Sequence, residues 1–399
     1  MRIEGLFYDQ QRIFGFGTQL VRSTAIRVGL SAQSYPFTAP TGIADISLRL
    51  PGDETITSIR AKHGPYKNGI FGQVDLETPI IRGKLGTVLS VSGEQGETDF
   101  HGVFTSVDFS ALFHWTPTDD VEIIPFIAQS NGFDSELKPL ISTAGDFFPP
   151  KIDRGVFFGQ DWAVRTTRTQ RDFGIIARGF SFGNWHIQGG VFRSYNALGS
   201  DGAVFYRNTQ ADGTADVFIR RSPPPIKGSY SGEVRASGAY AEGPRRHTFH
   251  LSARGRLVSR TFGGNDTQAL GQAPIGVRVV LPEPTFNLGP QSEDKVRHGT
   301  LGIGYVAQWR GVGEISAGLQ KSFYHQRIVQ PTLPDAVSSN NPWLYNGTIA
   351  ANITNDLTLY ASYVRGLEES GVAPENAANP GEALPASLTE QVDAGLRYR

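Results

Sequence analysis

The 399-residue chain contains no cysteine. Without thiols neither a disulfide framework nor a thiolate metal site can form, so the compartment has to be argued from other features. Long apolar runs are missing as well. Nothing approaches the roughly 20 consecutive apolar residues of a membrane-spanning helix, and mean hydropathy is −0.25. A bilayer, if this chain crosses one, is crossed without helices. An excess of charge of either sign is also lacking: Lys and Arg total 37 against 38 Asp and Glu, a formal net charge of −1. No nucleic-acid partner is expected from that balance. The start, Met1-Arg-Ile-Glu-Gly-Leu-Phe7, has none of the basic, apolar and small-residue regions of a secretory leader.

What the chain has is alternation. From Val103 to Trp115 the odd positions read Val103, Thr105, Val107, Phe109, Ala111, Phe113, Trp115 and the even ones Phe104, Ser106, Asp108, Ser110, Leu112, His114. Side chains on a strand point to opposite faces at a period of two, so one face suits hydrocarbon and the other water. Strands are read near 87–95, 102–115, 121–130, 172–182, 185–195, 231–240, 247–260, 298–309, 314–327, 343–353, 357–367 and 387–398, about twelve in all. Residues 1–82 read instead as a small α+β globule of short apolar pieces broken by Gly and Pro. The expected fold is all-β, an antiparallel transmembrane β-barrel over 83–399, with the globule 1–82, whose apolar pieces are too few and short to bury a core alone, expected inside the barrel lumen. Only closed barrels otherwise satisfy every backbone group inside lipid, and their alternation leaves average hydropathy ordinary.

The connections alternate too. Short turns fall at 116–119, 183–184, 242–245, 310–313 and 355–356, while 131–171, 196–230, 261–297, 328–342 and 368–386 are long. Outer-membrane barrels have short periplasmic turns and long extracellular loops, which fixes the expected orientation. Trp115, Trp185, Tyr240 and Trp309 sit at the short-turn ends, where an aromatic girdle belongs.

One face of 247–260 carries Phe249, Leu251, Ala253, Gly255 and Leu257, the other Arg254, Arg256 and Arg260. A charge facing lipid near the midplane costs about 2 to 4 kcal/mol, which turns the Arg row into the lumen. Arg235, Arg254, Arg256 and Arg260 are the candidate ligand-binding residues, since a guanidinium binds carboxylates bidentately and keeps its charge. The competing role is packing against acidic groups of the globule such as Asp53, Glu54 or Glu77. Other chemistry is sparse. Gly302-Ile-Gly-Tyr-Val-Ala307 has the letters of a dinucleotide loop but lies inside an alternating strand. His247 and His250 fall on opposite faces, which argues against a shared metal. No nucleophile motif of the Gly-x-Ser-x-Gly kind is expected in the chain, and no enzyme, metal site or cofactor is expected.

Arg27-Val-Gly-Leu-Ser-Ala-Gln33, Phe37-Thr-Ala-Pro-Thr-Gly-Ile43, Ile59-Arg-Ala-Lys-His-Gly-Pro-Tyr66 and Val74-Asp-Leu-Glu-Thr-Pro79 together resemble the second half of a TonB-dependent receptor plug. Gly64, Pro65, Gly69, Gly72 and Thr78 match that domain's Arg-Gly-Pro element, spaced glycines and terminal Thr, with His63 in place of the Arg. Leu359-Tyr-Ala-Ser-Tyr-Val-Arg-Gly-Leu367 and Val392-Asp-Ala-Gly-Leu-Arg-Tyr398 are similar to the family's paired barrel strands. The resemblance implies a barrel of about 22 strands, of which about twelve are here, so the chain is expected to be a fragment lacking the TonB box. It also implies a monomer in the outer membrane of a Gram-negative bacterium, in contact with its lipid, energised by the TonB complex. The implied ligand is a ferric siderophore or similar metal chelate, with cobalamin and oligosaccharides as further family ligands. A passive porin and a truncated product without transport activity are the alternative readings.

Overall fold

The structure, a computed structural model, describes the chain except residues 12–15, 29–36, 38, 41, 65, 66, 98–101, 135–138, 154, 164, 165, 200, 372, 374–376, 380, 381 and 399. The first fifty residues build a four-stranded sheet of order β2-β1-β4-β3 from β1 (Arg2–Ile3), β2 (Leu6–Phe7), β3 (Val21–Arg27) and β4 (Ile43–Leu48). Glu4 and Gly5, with φ of 50° and 77°, make the turn of its first hairpin. A 3-10 turn at Thr18–Leu20 precedes β3. No α-helix occurs among the described residues of this part, so the α component expected there has no counterpart in them.

The chain then enters a long succession of strands. These are β5 (Ile56–His63), β6 (Lys67–Ile81), β7 (Leu85–Glu97), β8 (Val103–Trp115), β9 (Glu122–Asp134), β10 (Leu140–Thr143), β11 (Thr166–Phe182) and β12 (Trp185–Leu198). Next come β13 (Asp201–Thr209), β14 (Thr214–Ser222), β15 (Ile226–Glu242), β16 (Arg245–Phe262), β17 (Asp266–Pro274), β18 (Ser292–Trp309) and β19 (Gly313–Val329). The last four are β20 (Ala336–Asn340), β21 (Trp343–Asn352), β22 (Leu357–Glu368) and β23 (Ser387–Tyr398).

One antiparallel sheet runs from β5 to β23 in chain order, skipping β10, β13, β14 and β17, with β20 attached beside β19. All twelve expected strands are in it. So are β5 and β6, which the division at residue 82 assigns to the N-terminal globule. That division is corrected: β6 pairs along its length with β7, and the wall begins before residue 82, at Ile56. Residues 1–50 touch this wall from Asp75 and Glu77 on β6 to Gly366 on β22, so the sheet curls around them. Its edges, β5 and β23, are not paired with each other, which leaves the wall open.

The skipped strands form a second sheet of order β10-β13-β14-β17, built within the long connections. It has its own core of Phe158, Val204, Tyr206, Val217, Ile219 and Ile275. Tyr206 donates its hydroxyl to the Phe158 carbonyl at 2.8 Å, and burial pushes its phenol up to about 12.

Alternation decides the two faces of the wall. Along β8, Val107, Phe109 and Phe113 are exposed outside while Ser106, Ser110 and Leu112 are buried inside. Along β19 the burial alternates residue by residue from Ile315 to Ile328. Among the described residues no helix is long and apolar enough to cross a membrane; the outward apolar faces of the strands are what suits hydrocarbon. Lipid-phase labelling is expected to modify Phe109→Cys and spare Asp108→Cys. The reverse pattern would overturn the register.

Candidate functional site

The inner face of the wall is in two halves, and each holds the N-terminal part differently. On β7, β8, β9, β11 and β12 it carries an apolar core, in which Val88, Leu112, Ile124, Phe126, Ile176 and Phe192 pack with Ile3, Leu6, Tyr8, Phe16, Leu20, Ile46 and Leu48, beside buried polar groups such as Ser90, Ser110 and Gln170. Tyr8 sets its ring edge-on to Phe192 at 5.6 Å, as Phe16 does to Phe126 at the same distance. Burying each such side chain stabilises by about 1.5–3 kcal/mol. At the rim of this core the Tyr8 hydroxyl reaches the Asp172 carboxylate, and Arg178 bridges Glu4 at 2.8 Å and Glu122 at 2.9 Å.

On β15, β16 and β18 the inner face is charged. Glu233, whose side chain is fully buried, accepts from Arg235 at 2.6 Å, from Ser252 at 2.8 Å and from the Phe7 backbone N–H at 2.9 Å. Arg235 also donates to the Gly5 carbonyl at 2.9 Å. Arg256 lies between Asp9 at 3.0 Å and Glu369 at 2.6 Å. Arg260 meets Glu369 at 3.0 Å, Asp294 at 3.4 Å and the Gln11 side chain at 3.3 Å. All four arginines point inward, as the alternation requires, and three of them are neutralised by carboxylates. Arg254 differs. It donates to Gln320 at 2.8 Å and stands 5.5 Å from the centre of the Phe7 ring, with no carboxylate in ion-pair range among the described residues.

The acidic partners are not those expected. Asp53 and Glu54 are exposed, and Glu77 pairs with Arg49 at 2.7 Å. Asp9, Glu233, Asp294 and Glu369 take their place. Glu233 was within reach of sequence reasoning, since it lies two residues from Arg235 and therefore on the same face. Asp9 was not, because 247 residues separate it from Arg256.

Gly64, Gly69, Gly72 and Thr78 lie in and beside the β5–β6 hairpin of the wall and not in the enclosed part; Pro65 falls outside the described residues. Gly64 has φ 87° and donates to the Gly69 carbonyl at 2.8 Å, closing that hairpin. Gly302 and Gly304 sit within β18, where no helix follows to hold a pyrophosphate. His250 bonds Ser237 inside and His247 bonds Tyr305 outside. The expectation that no Gly-x-Ser-x-Gly motif occurs is corrected: the letters stand at Gly179 to Gly183. An elbow needs a strand-to-helix turn; this one is the end of β11 entering a hairpin, with Ser181 beside His186 at 3.0 Å on the surface. No group of three metal-ligating residues exists among the described residues.

No protein-family model matches the sequence, and no curated protein is similar to it. Solved structures are similar in fold. The ferric preacinetobactin receptor BauA of Acinetobacter baumannii superposes over 100% of this chain and 60% of its own, with a TM-score of 0.79 at 16% identity. The ferric-catecholate import receptor Fiu of E. coli K12 matches over 92% of this chain and 59% of its own, TM-score 0.74, 12% identity. FpvA, the pyoverdine outer membrane receptor of Pseudomonas aeruginosa, matches over 96% and 56%, TM-score 0.72, 11% identity. The chain thus has the fold of the TonB-dependent siderophore receptors and spans about 60% of the length of the first of these neighbours. These neighbours are transport receptors and not enzymes.

Proposed function

We propose that this chain is the plug-bearing part of a TonB-dependent outer-membrane receptor that imports a ferric siderophore or similar anionic metal chelate into a Gram-negative bacterium. The observation that carries this reading is the filled lumen. A passive pore needs an open one, whereas here residues 1–50 are seated on the inner wall through one apolar and one ionic half. Contacts of that kind close a channel and still come apart under force, because ion pairs and hydrogen bonds exchange with water as the plug moves. The neighbours named for ferric ligands support the ligand class.

Within this reading Arg254 is the ligand-facing cation. Its neighbours in the row are already neutralised, so Arg254 is the group with charge left to offer an anion. Uptake of radiolabelled ferric chelate is measured in cells lacking their own receptor that express a complete receptor containing this chain, with and without TonB. Accumulation that requires TonB is expected. Arg254→Gln is expected to weaken uptake by at least roughly tenfold, since a hydrogen bond to a charged group contributes about 1.5–3 kcal/mol. TonB-independent accumulation would remove the receptor reading, and unchanged uptake by the variant would remove the role of Arg254.

A further inference from the structure

The outer face of the wall carries a feature that transport does not use. Hydrogen-bonded register places Val191 on β12, Gly232 on β15, Gly255 on β16, Gly299 on β18 and Phe323 on β19 in one row across five strands. All five are at outward positions, next to inward Phe192, Glu233, Arg254, His298 and Tyr324. Three adjacent strands therefore present no side chain, between walls made by Val191 and Phe323. The span from β12 to β19 is four strand spacings, about 19 Å at roughly 4.8 Å each. The recess has a volume of about 790 Å³. Glycine within a strand weakens it and marks where another group approaches closely, so three in register are a built trench.

One row further toward the long connections, the same strands carry Arg193, Tyr230, Leu257, Arg297 and His325, again in continuous register. Tyr230 and Leu257 are exposed and continue the apolar lining. Arg193 lies over the Tyr230 ring at 4.1 Å. Neither Arg193 nor Arg297 has a hydrogen bond or ion pair among the described residues. Their neighbours in the next row do: Lys295 pairs with Glu293 at 2.8 Å and Arg327 with Asp335 at 2.5 Å. The uncommitted cations are thus the two bordering the trench.

We propose that this trench binds one anionic, phosphate-bearing lipid of the outer leaflet, an acyl chain lying over Gly232, Gly255 and Gly299 with the phosphate between Arg193 and Arg297. Apolar floor and cationic rim occur together in the order that a lipid presents its tail and headgroup along the membrane normal. The proposal rests on the outward face meeting lipid and on the long connections lying outside, and its test involves neither iron nor TonB, so it stands or falls separately from the transport reading.

The protein, purified from membranes in detergent, is titrated with phosphatidylglycerol or with zwitterionic phosphatidylcholine and the bound lipid is counted by native mass spectrometry. Retention of phosphatidylglycerol is expected to exceed that of phosphatidylcholine by about thirtyfold, the order two membrane-surface cations supply. Arg193→Gln with Arg297→Gln is expected to erase the preference. Gly299→Leu is expected to reduce retention of both lipids by filling the trench; a Cβ there meets nothing within 4 Å, so folding is preserved. Gly347→Leu, also outward and with only the Ser316 carbonyl nearby, serves as the control and is expected to change nothing. Equal retention of the two lipids by the unaltered protein, or a preference that survives the double Arg variant, overturns the proposal, as does equal loss in Gly299→Leu and Gly347→Leu.

Discussion

Glu233→Ala is expected to destabilise the protein by about 3 to 5 kcal/mol, the cost of leaving a buried partner charge uncompensated. The carboxylate is at the centre of the ionic half: Arg235 at 2.6 Å, Arg2 at 3.9 Å, Ser252 at 2.8 Å and the Phe7 N–H at 2.9 Å converge on it. Removing it takes the carboxylate from Arg235 and the acceptor from the Ser252 hydroxyl and the Phe7 N–H, at one of the least solvated places in the lumen. Glu233→Gln keeps both acceptor and shape while losing the charge, and is expected to cost less. The measurements are the urea midpoint and trypsin cleavage within residues 1–50, which should appear first in the Ala variant. A midpoint equal to that of the unaltered protein would show that the ionic half does not hold the plug.

Leu112→Ala is expected to cost about 2 to 5 kcal/mol, the range for truncating a leucine in a packed core. Leu112 is completely buried, on the inner face of β8, in the core shared by the wall and residues 1–50. Its neighbours cannot close the void without moving β8 out of register with β7 and β9. Ser110→Ala, two residues away on the same face, deletes an oxygen that has no hydrogen-bond partner among the described residues and is expected to be nearly neutral. Thermal unfolding of the two variants side by side decides the matter: equal melting temperatures would mean that the apolar half contributes no more than any inward position.

Where side chains alternate, the sequence carried the wall from β7 on, because a period of two states both the strand and its faces. Two wall strands escaped: β6 alternates, with Gln73 and Asp75 buried and Ile70 and Val74 exposed, but its residues resemble part of the plug, whereas β5 does not alternate. β5 reads Ile56-Thr-Ser-Ile-Arg-Ala-Lys-His63, with its isoleucines three apart, and every residue of it is exposed. An edge strand that buries neither face has no cause to alternate. The outer sheet was legible in part, since Val204 and Tyr206, and then Ala215, Val217 and Ile219, alternate; Gly213 and the prolines around them gave those stretches the look of open loop. The ionic half was half legible: the inward direction of Arg235, Arg254, Arg256 and Arg260 follows from the cost of charge in lipid, while their partners depend on which distant segments the folded chain brings together. Nothing local in Asp9 or Glu369 announces a partner on β16.

The outer sheet is assembled from three separate excursions of the chain: β10 from the connection after β9, β13 and β14 from that after β12, and β17 from that after β16. Three loops that would each carry their own freedom are laced into a single hydrogen-bonded ladder with one core. Their conformational entropy is surrendered once, in folding, and not again each time something settles on the outer surface. The connections after β9, β12 and β16 are therefore joined into one hydrogen-bonded body, and displacing any one of them displaces the other two.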